Sequence, residues 1–256
     1  MLSSLFALAV LLMAVSVNGW MLLGATILFF PSSFALVGLG QATLMDTDPA
    51  RTEQNMARWT FAGSVGIVLG SLVLAGAVSL DISWRWLFGA VGVGSLLVTL
   101  VFARVVQVPH SRGRSASWRL IRLGVFAAIK SMGRRAVARW LILLGFSDMM
   151  LDVLLGFLAL YFVDVIGASA AQAAVAVTVW SVVGLLGDLA IIPLIERVSG
   201  VTYLRISTAL TVVVFIAFML TPMYVGAVVL LGVMGFLNAG WYSILQARLY
   251  MTMPGR

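Results

Sequence analysis

The sequence predicts an all-α fold, a polytopic bundle of transmembrane helices, and three observations carry that expectation. Hydrophobic residues make up 62% of the 256 and charged residues only 10%, less than half the charge of an average soluble domain. The apolar residues come in long blocks, which excludes a porin-like barrel, whose strands alternate apolar and polar at every second residue. The sixteen basic residues lie almost wholly on one side of those blocks.

Taken in order, the blocks give eight spans: roughly Leu2–Ser16, Trp20–Met45, Met56–Ser79, Trp84–Val105, Ala138–Val163, Ala170–Ile192, Tyr203–Thr221 and Met223–Tyr250. About 20 apolar residues cover the hydrocarbon core. Asn18-Gly19 and Pro222 punctuate the blocks as tight turns between antiparallel spans. Trp20, Trp59, Trp84, Trp86 and Trp140 fall at span ends, where amphipathic rings prefer the headgroup zone.

Charge sets the orientation. In an alternating eight-span topology fifteen basic residues share one side and only Arg85 takes the other. The positive-inside rule makes Met1 and the 106–137 connector cytoplasmic, in a multi-pass protein of the plasma or inner membrane. The net charge of +7 is thus a matter of topology, and no nucleic acid partner is expected.

The long connector begins with the polar run Pro109-His110-Ser111-Arg112-Gly113-Arg114. Trp118, Ile121, Val125, Ile129 and Met132 then recur at helical spacing beside Arg119, Arg122 and Lys130. That pattern predicts an amphipathic helix on the anionic inner leaflet, or else a cytoplasmic extension of the fifth span. Residues 1–105 are accordingly expected as part of an N-terminal helical half. Residues 106–137 form the linker and residues 138–256 part of a C-terminal half, with four spans in each.

A repeat supports two halves. Gln41-Ala42-Thr43-Leu44 leads to Pro49-Ala50-Arg51, and Gln246-Ala247-Arg248-Leu249 leads to Pro254-Gly255-Arg256. Gln, Ala, Leu, Pro and Arg recur at one offset of 205 residues, as in a duplicated unit. Many transporters are built from duplicated halves. By that offset the second half's start has its counterpart about 66 residues before Met1, which leaves room for two further spans. Two more would follow Arg256. The expectation is therefore eight of twelve helices, truncated at both ends, and 256 residues that do not transport in isolation.

Several chemistries have no residues to carry them. There is no cysteine and a single histidine, His110, so no metal site and no thiolate chemistry is expected. No Gly-x-x-x-x-Gly-Lys loop is present, so nucleotide does not drive the protein within this chain. No cofactor is expected.

At this point the residues resemble a major facilitator superfamily transporter, from its third to its tenth helix, over essentially the whole chain. The matching features are Arg58-Trp59 opening the third span, Gly63, Gly66 and Gly70 within it, and Trp84-Arg85-Trp86 opening the next. Glu196-Arg197 with Gly200 and Arg205 is similar to a degenerate copy of the family's acidic-basic-glycine loop motif. Within the family the chain resembles bacterial drug-efflux members, near the fosmidomycin-resistance group. The resemblance implies secondary transport by alternating access, with a small-molecule substrate, protons and the lipid bilayer as partners and the monomer as the working unit. One departure stands out. Antiporters of the family often follow the glycine ladder with Gly-Pro and paired glycines, whereas Ser71 follows Gly70 here. Symport and uniport therefore stay open beside antiport.

The residues themselves point to proton coupling. Asp148 and Asp152 lie mid-span, four residues apart and so about 6 Å apart on one helical face. Asp188 lies about two turns inside the end of the sixth span. Intramembrane acids are costly unless paired, hydrated or protonated, and are functional by default; the bland alternative is an interhelical hydrogen bond. Trp180, Asn238, Trp241 and Tyr242 are candidates to line a substrate cavity, or equally to pack helices. Pro31-Ser32-Ser33 is expected to break the second span, either kinking it or presenting Ser32 and Ser33 to a cavity. Gly63, Gly66, Gly70 and Gly76 suit close helix approach. Arg58, Asp46, Glu196 and Arg197 could latch an inner gate or simply set orientation. The function expected is proton-coupled efflux of a small organic solute, with uptake as the alternative. A polytopic membrane enzyme needs clustered surface His, Asp or Glu, which the loops lack.

Overall fold

The computed structural model describes residues 2–105, 122, 126 and 130–253. No strands occur among these residues; residues 122, 126 and 130–132 are helical, and nine further α-helices are bounded: α1 Leu2–Ala14, α2 Gly19–Thr47, α3 Thr52–Ser79, α4 Trp84–Val105, α5 Arg135–Asp164, α6 Ala170–Leu194, α7 Gly200–Leu220, α8 Tyr224–Asn238 and α9 Trp241–Thr252. A short 3-10 turn, Pro49–Arg51, joins α2 to α3. Most of the expected amphipathic helix of the connector lies outside the described residues.

Seven segments are long and apolar enough to cross a membrane, the last being Tyr224–Thr252, which comprises α8 and α9. Helix α1 differs from expectation. At 13 residues it spans about 20 Å, short of the hydrocarbon thickness. Large apolar side chains stand bare along the helices, such as Phe34, Ile67 and Leu220, each more than 70% exposed. Lipid is the solvent such faces need.

Two expectations about helix continuity reverse. Helix α2 runs unbroken through Pro31. Ser32 is buried, and its hydroxyl donates to the carbonyls of Leu28 and Phe29 at 2.8 and 2.9 Å, beside the turn that proline deprives of a donor. Ser33 is half-buried on the same helix. The break falls instead in the last span, at Ala239-Gly240. Ala239 is extended, and Gly240 takes φ 77, a left-handed conformation that glycine adopts without a Cβ penalty.

The chain divides into two compact units, Met1–Thr43 with Leu69–Arg122, and Leu44–Val68 with Leu123–Arg256. In the first, α1 packs along α4, with Gly92 directly against Leu11. Arg85 donates to the Ser16 carbonyl at 3.0 Å and lies over the Trp84 ring. A cation there caps the free carbonyls that end α1.

In the second unit α8 packs against α6 and α7, and α5 against α6 and α9. Its core holds Leu158, Phe162, Trp180, Phe218, Leu231 and Met234. Phe162 and Phe218 meet Tyr161 and Tyr224 through ring contacts of 5.1 to 6.2 Å. Lipid supplies no hydrophobic drive between helices, so this interior is held by close packing and hydrogen bonds. Glycines allow that closeness where α6 meets α8. A Cβ at Gly235 would sit 2.9 Å from the Trp180 carbonyl, and one at Gly187 would sit 2.6 Å from Ala239 Cβ.

Candidate functional site

The break in the last span exposes polar backbone groups inside the second unit; two other helices answer them, and a third braces one of the partners. Buried backbone left unpaired costs free energy, the more so where no water can reach it. From α7, Tyr203 donates its hydroxyl to the carbonyls of Ala239 at 2.9 Å and Leu237 at 3.2 Å. From α6, Asp188 Oδ1 accepts the Gly240 N–H at 3.3 Å. From α3, Ser64 donates its hydroxyl to Asp188 Oδ2 at 2.5 Å. Helix α9 has no side-chain cap of its own, so the Asp188 carboxylate stands at its positive end.

Asp188 is 8% exposed. Its position follows from local sequence: Gly187 lets α6 approach the break, and Asp188 follows directly toward the Gly240 amide. Ile191, one turn on, fills the space that a Cβ on Gly240 would take, at 2.7 Å. Around the same break Trp241 donates Nε1 to Ser207 Oγ at 2.9 Å. Thr211 Oγ1 lies 3.4 Å from Asn238 Oδ1. The Asn238 amide nitrogen is buried without a partner among the described residues.

Asp148 and Asp152 are set differently. Both lie on α5, Asp148 half-buried and Asp152 exposed, and neither makes a hydrogen bond or ion pair among the described residues. None of those residues joins them to the Asp188 cluster. Trp180 is buried in the apolar core of α5, α6, α7 and α8, and Tyr242 packs beside Leu245 and Met45. The broken helix thus brings Asp188, Asn238 and Trp241 to one neighbourhood, while Tyr242 belongs to the packing around Leu245 and Met45, and Ser32 and Ser33 belong to the first unit. A Cβ at Gly63, Gly66, Gly70 or Gly76 meets nothing within 4 Å among the described residues, so the close approaches there involve other glycines.

A second polar cluster joins the two repeat copies. Met45 and Met56 pack on Ala247, and Tyr250 donates its hydroxyl to Asp46 Oδ1 at 2.6 Å. Arg248 Nε approaches Glu53 Oε1 at 2.6 Å, off the linear direction of a hydrogen bond. A Cβ at Gly200 would meet Glu53 Oε2 at 2.6 Å, so Glu53 also covers the start of α7. Of the expected latch residues, Asp46 is joined. Arg58 lies 3.4 Å from Asn55 Oδ1, and the exposed side chains of Glu196 and Arg197 form no ion pair among the described residues.

Sequence reasoning missed Ser64, Tyr203, Ser207 and Glu53. Ser64 was visible as a polar residue inside the glycine ladder, yet nothing local says which acid it meets. Arg248 was legible only as one of the fifteen basic residues expected on the cytoplasmic side and as a member of the second repeat copy.

The family model of the Major Facilitator Superfamily matches residues 1–255. The chain belongs to the major facilitator superfamily. It is therefore a multi-pass membrane protein of a transporter family, and the broken last span lies inside a transporter's bundle. The comparison with curated proteins yields no match.

Proposed function

We propose that this transporter moves a small organic solute by alternating access, coupled to protons, with Asp188 as a proton-carrying group. The observation that carries this is the Asp188 carboxylate, buried and held between Ser64 on α3 and the start of the broken helix α9. Charge-assisted bonds are roughly twice as strong as neutral ones. A proton on Asp188 would weaken its hold on the Gly240 amide and on Ser64, loosening α3 from α6 and α9. Loss of the proton would restore both. One protonation thus biases two arrangements of the same helices, which is what coupling requires.

Asp148 and Asp152 remain proton-coupling candidates on α5. Glu53–Arg248 and Asp46–Tyr250 would latch the cytoplasmic mouth and part when that side opens. Trp180, Asn238 and Trp241 are proposed to face the solute in another conformation, since their surroundings here are packed.

Export is the direction favoured, on family likeness, with the chain working as a monomer in the plasma or inner membrane, and Met1 and the connector in the cytoplasm. Uptake by symport is the second reading, supported by Ser71 standing where antiporters of the family carry proline. Proteoliposomes loaded with a pH-sensitive dye test the coupling. A panel of drug-like cations, anions and neutral solutes is imposed as gradients on wild type and Asp188→Asn. The expected result is proton flux with at least one solute, reduced tenfold or more in the variant. Solute movement with proton flux unchanged by the substitution would remove Asp188 from the coupling.

A further inference from the structure

Helix α5 begins in a run of cations with no counter-charge of its own. Arg134, Arg135 and Arg139 are exposed, and none forms an ion pair among the described residues. No Asp or Glu occurs between Asp81 and Asp148, so the neighbouring sequence supplies no anion either. The first turn of α5 holds no acid, and Arg134 at its N-cap makes no side-chain bond. Cations at the positive end of a helix are disfavoured until an anion comes between them. The Arg139 guanidinium lies 5.2 Å from the centre of the Trp140 ring, the kind of ring that marks headgroup depth. Further along α5 the same face turns apolar. Ile142, Phe146 and Met149 continue the spacing of Arg135 and Arg139 at steps of three and four, and each is more than half exposed. Asp148 and Asp152 fall outside that spacing.

We propose that this face binds one anionic phospholipid in the leaflet where α5 begins, its phosphate among Arg134, Arg135 and Arg139 and an acyl chain along Ile142 and Phe146. Charge complementarity selects the headgroup, since guanidinium forks match phosphate oxygens two at a time. The apolar continuation selects a lipid over free phosphate, which makes no contact with it. A zwitterionic headgroup brings its own ammonium and leaves the arginines without a net counter-charge. Val137 and Leu144, on the opposite side of α5, pack against Leu245 and Leu249 of α9. A bound headgroup therefore steadies the helix against which the Arg248 side of the proposed latch rests. This holds whatever solute is moved.

The test is lipid selectivity read at the site, independent of transport. The chain lacks cysteine and residue 136 is exposed, so Ala136→Cys takes a single bimane label between the arginines. Its quenching is followed in phosphatidylcholine nanodiscs at rising mole fractions of brominated phosphatidylglycerol or brominated phosphatidylcholine. A cation near a membrane surface gains about fivefold in affinity for anionic lipid, so phosphatidylglycerol should be preferred at least tenfold. Arg135→Gln together with Arg139→Gln should lower that preference tenfold or more. Should that variant fail to insert, Arg139→Gln alone carries the test, with a loss of about fivefold. Arg197→Gln together with Arg205→Gln removes the same charge elsewhere and should leave the preference within about twofold, as a local site requires. Glycerophosphoglycerol, the headgroup without chains, should not displace the lipid. Equal quenching by the two lipids, an equal loss in the Arg197 and Arg205 control, or displacement by glycerophosphoglycerol overturns the proposal. So does disulfide cross-linking of Ala136→Cys between copies in proteoliposomes, which would assign the face to a second copy.

Discussion

Ser64 donates its hydroxyl to Asp188 at 2.5 Å across 124 positions of sequence, and the same carboxylate accepts the Gly240 amide. One side chain therefore ties α3, α6 and α9 at the point where the last span breaks. Removing it affects both the fold and the proposed coupling, and the two effects separate by choice of substitution.

Asp188→Ala leaves the Ser64 hydroxyl and the Gly240 amide without their partner, at about 1–3 kcal/mol for each buried group left unpaired. Asp188→Asn keeps an oxygen for one of them and should cost less than half as much. Denaturant unfolding in mixed micelles measures both. Equal stability of wild type and Asp188→Ala would mean that the carboxylate does not hold the break.

Gly240→Ala forces a Cβ into a left-handed backbone and against Ile191. The expected loss is about 2–3 kcal/mol, from the backbone penalty together with overpacking. Gly66→Ala, in open space, should cost nothing, since alanine is the better helix former. The reverse order in the same unfolding measurement would place the critical glycine on the sequence ladder after all.

Glu53 and Arg248 are partly exposed, at 14% and 32% of their side chains, so their coupling energy should be about 1 kcal/mol in a double-mutant cycle. The chain lacks cysteine, which makes Ala50→Cys a clean reporter at the cavity that Ala50 and Arg248 line. Arg248→Ala should speed its modification by a charged maleimide severalfold. Unchanged labelling would argue against a latch.

Asp148→Asn and Asp152→Asn should leave stability within about 0.5 kcal/mol of wild type, as substitutions away from packed or bonded features do. Their proton flux is the informative measurement. A loss of flux with stability intact supports coupling on α5. A loss of stability instead would identify a structural partner for these acids.

Much of the fold was legible in order. Long apolar blocks and the turn residues between them are each set by the solvent of each segment, lipid or water, so they can be read along the chain. The family's glycines and Arg58-Trp59 were legible for the same local reason. The short α1, the continuous helix through Pro31 and the break at Gly240 were not. A proline need not break a helix: α2 continues through Pro31, with the Ser32 hydroxyl bonded to the carbonyls of Leu28 and Phe29 beside it. A glycine breaks one only when other helices pair the freed groups, as Tyr203 and Asp188 do.

Composition and periodicity by themselves thus determined a membrane bundle of apolar helices and marked its acids as points of interest. Tertiary structure alone decided which acid is buried, what it holds and which arginine meets which glutamate. The physical reason is range. Transfer into lipid acts on each segment separately, whereas a hydrogen bond such as Ser64 to Asp188 exists only after distant helices have packed within 3 Å.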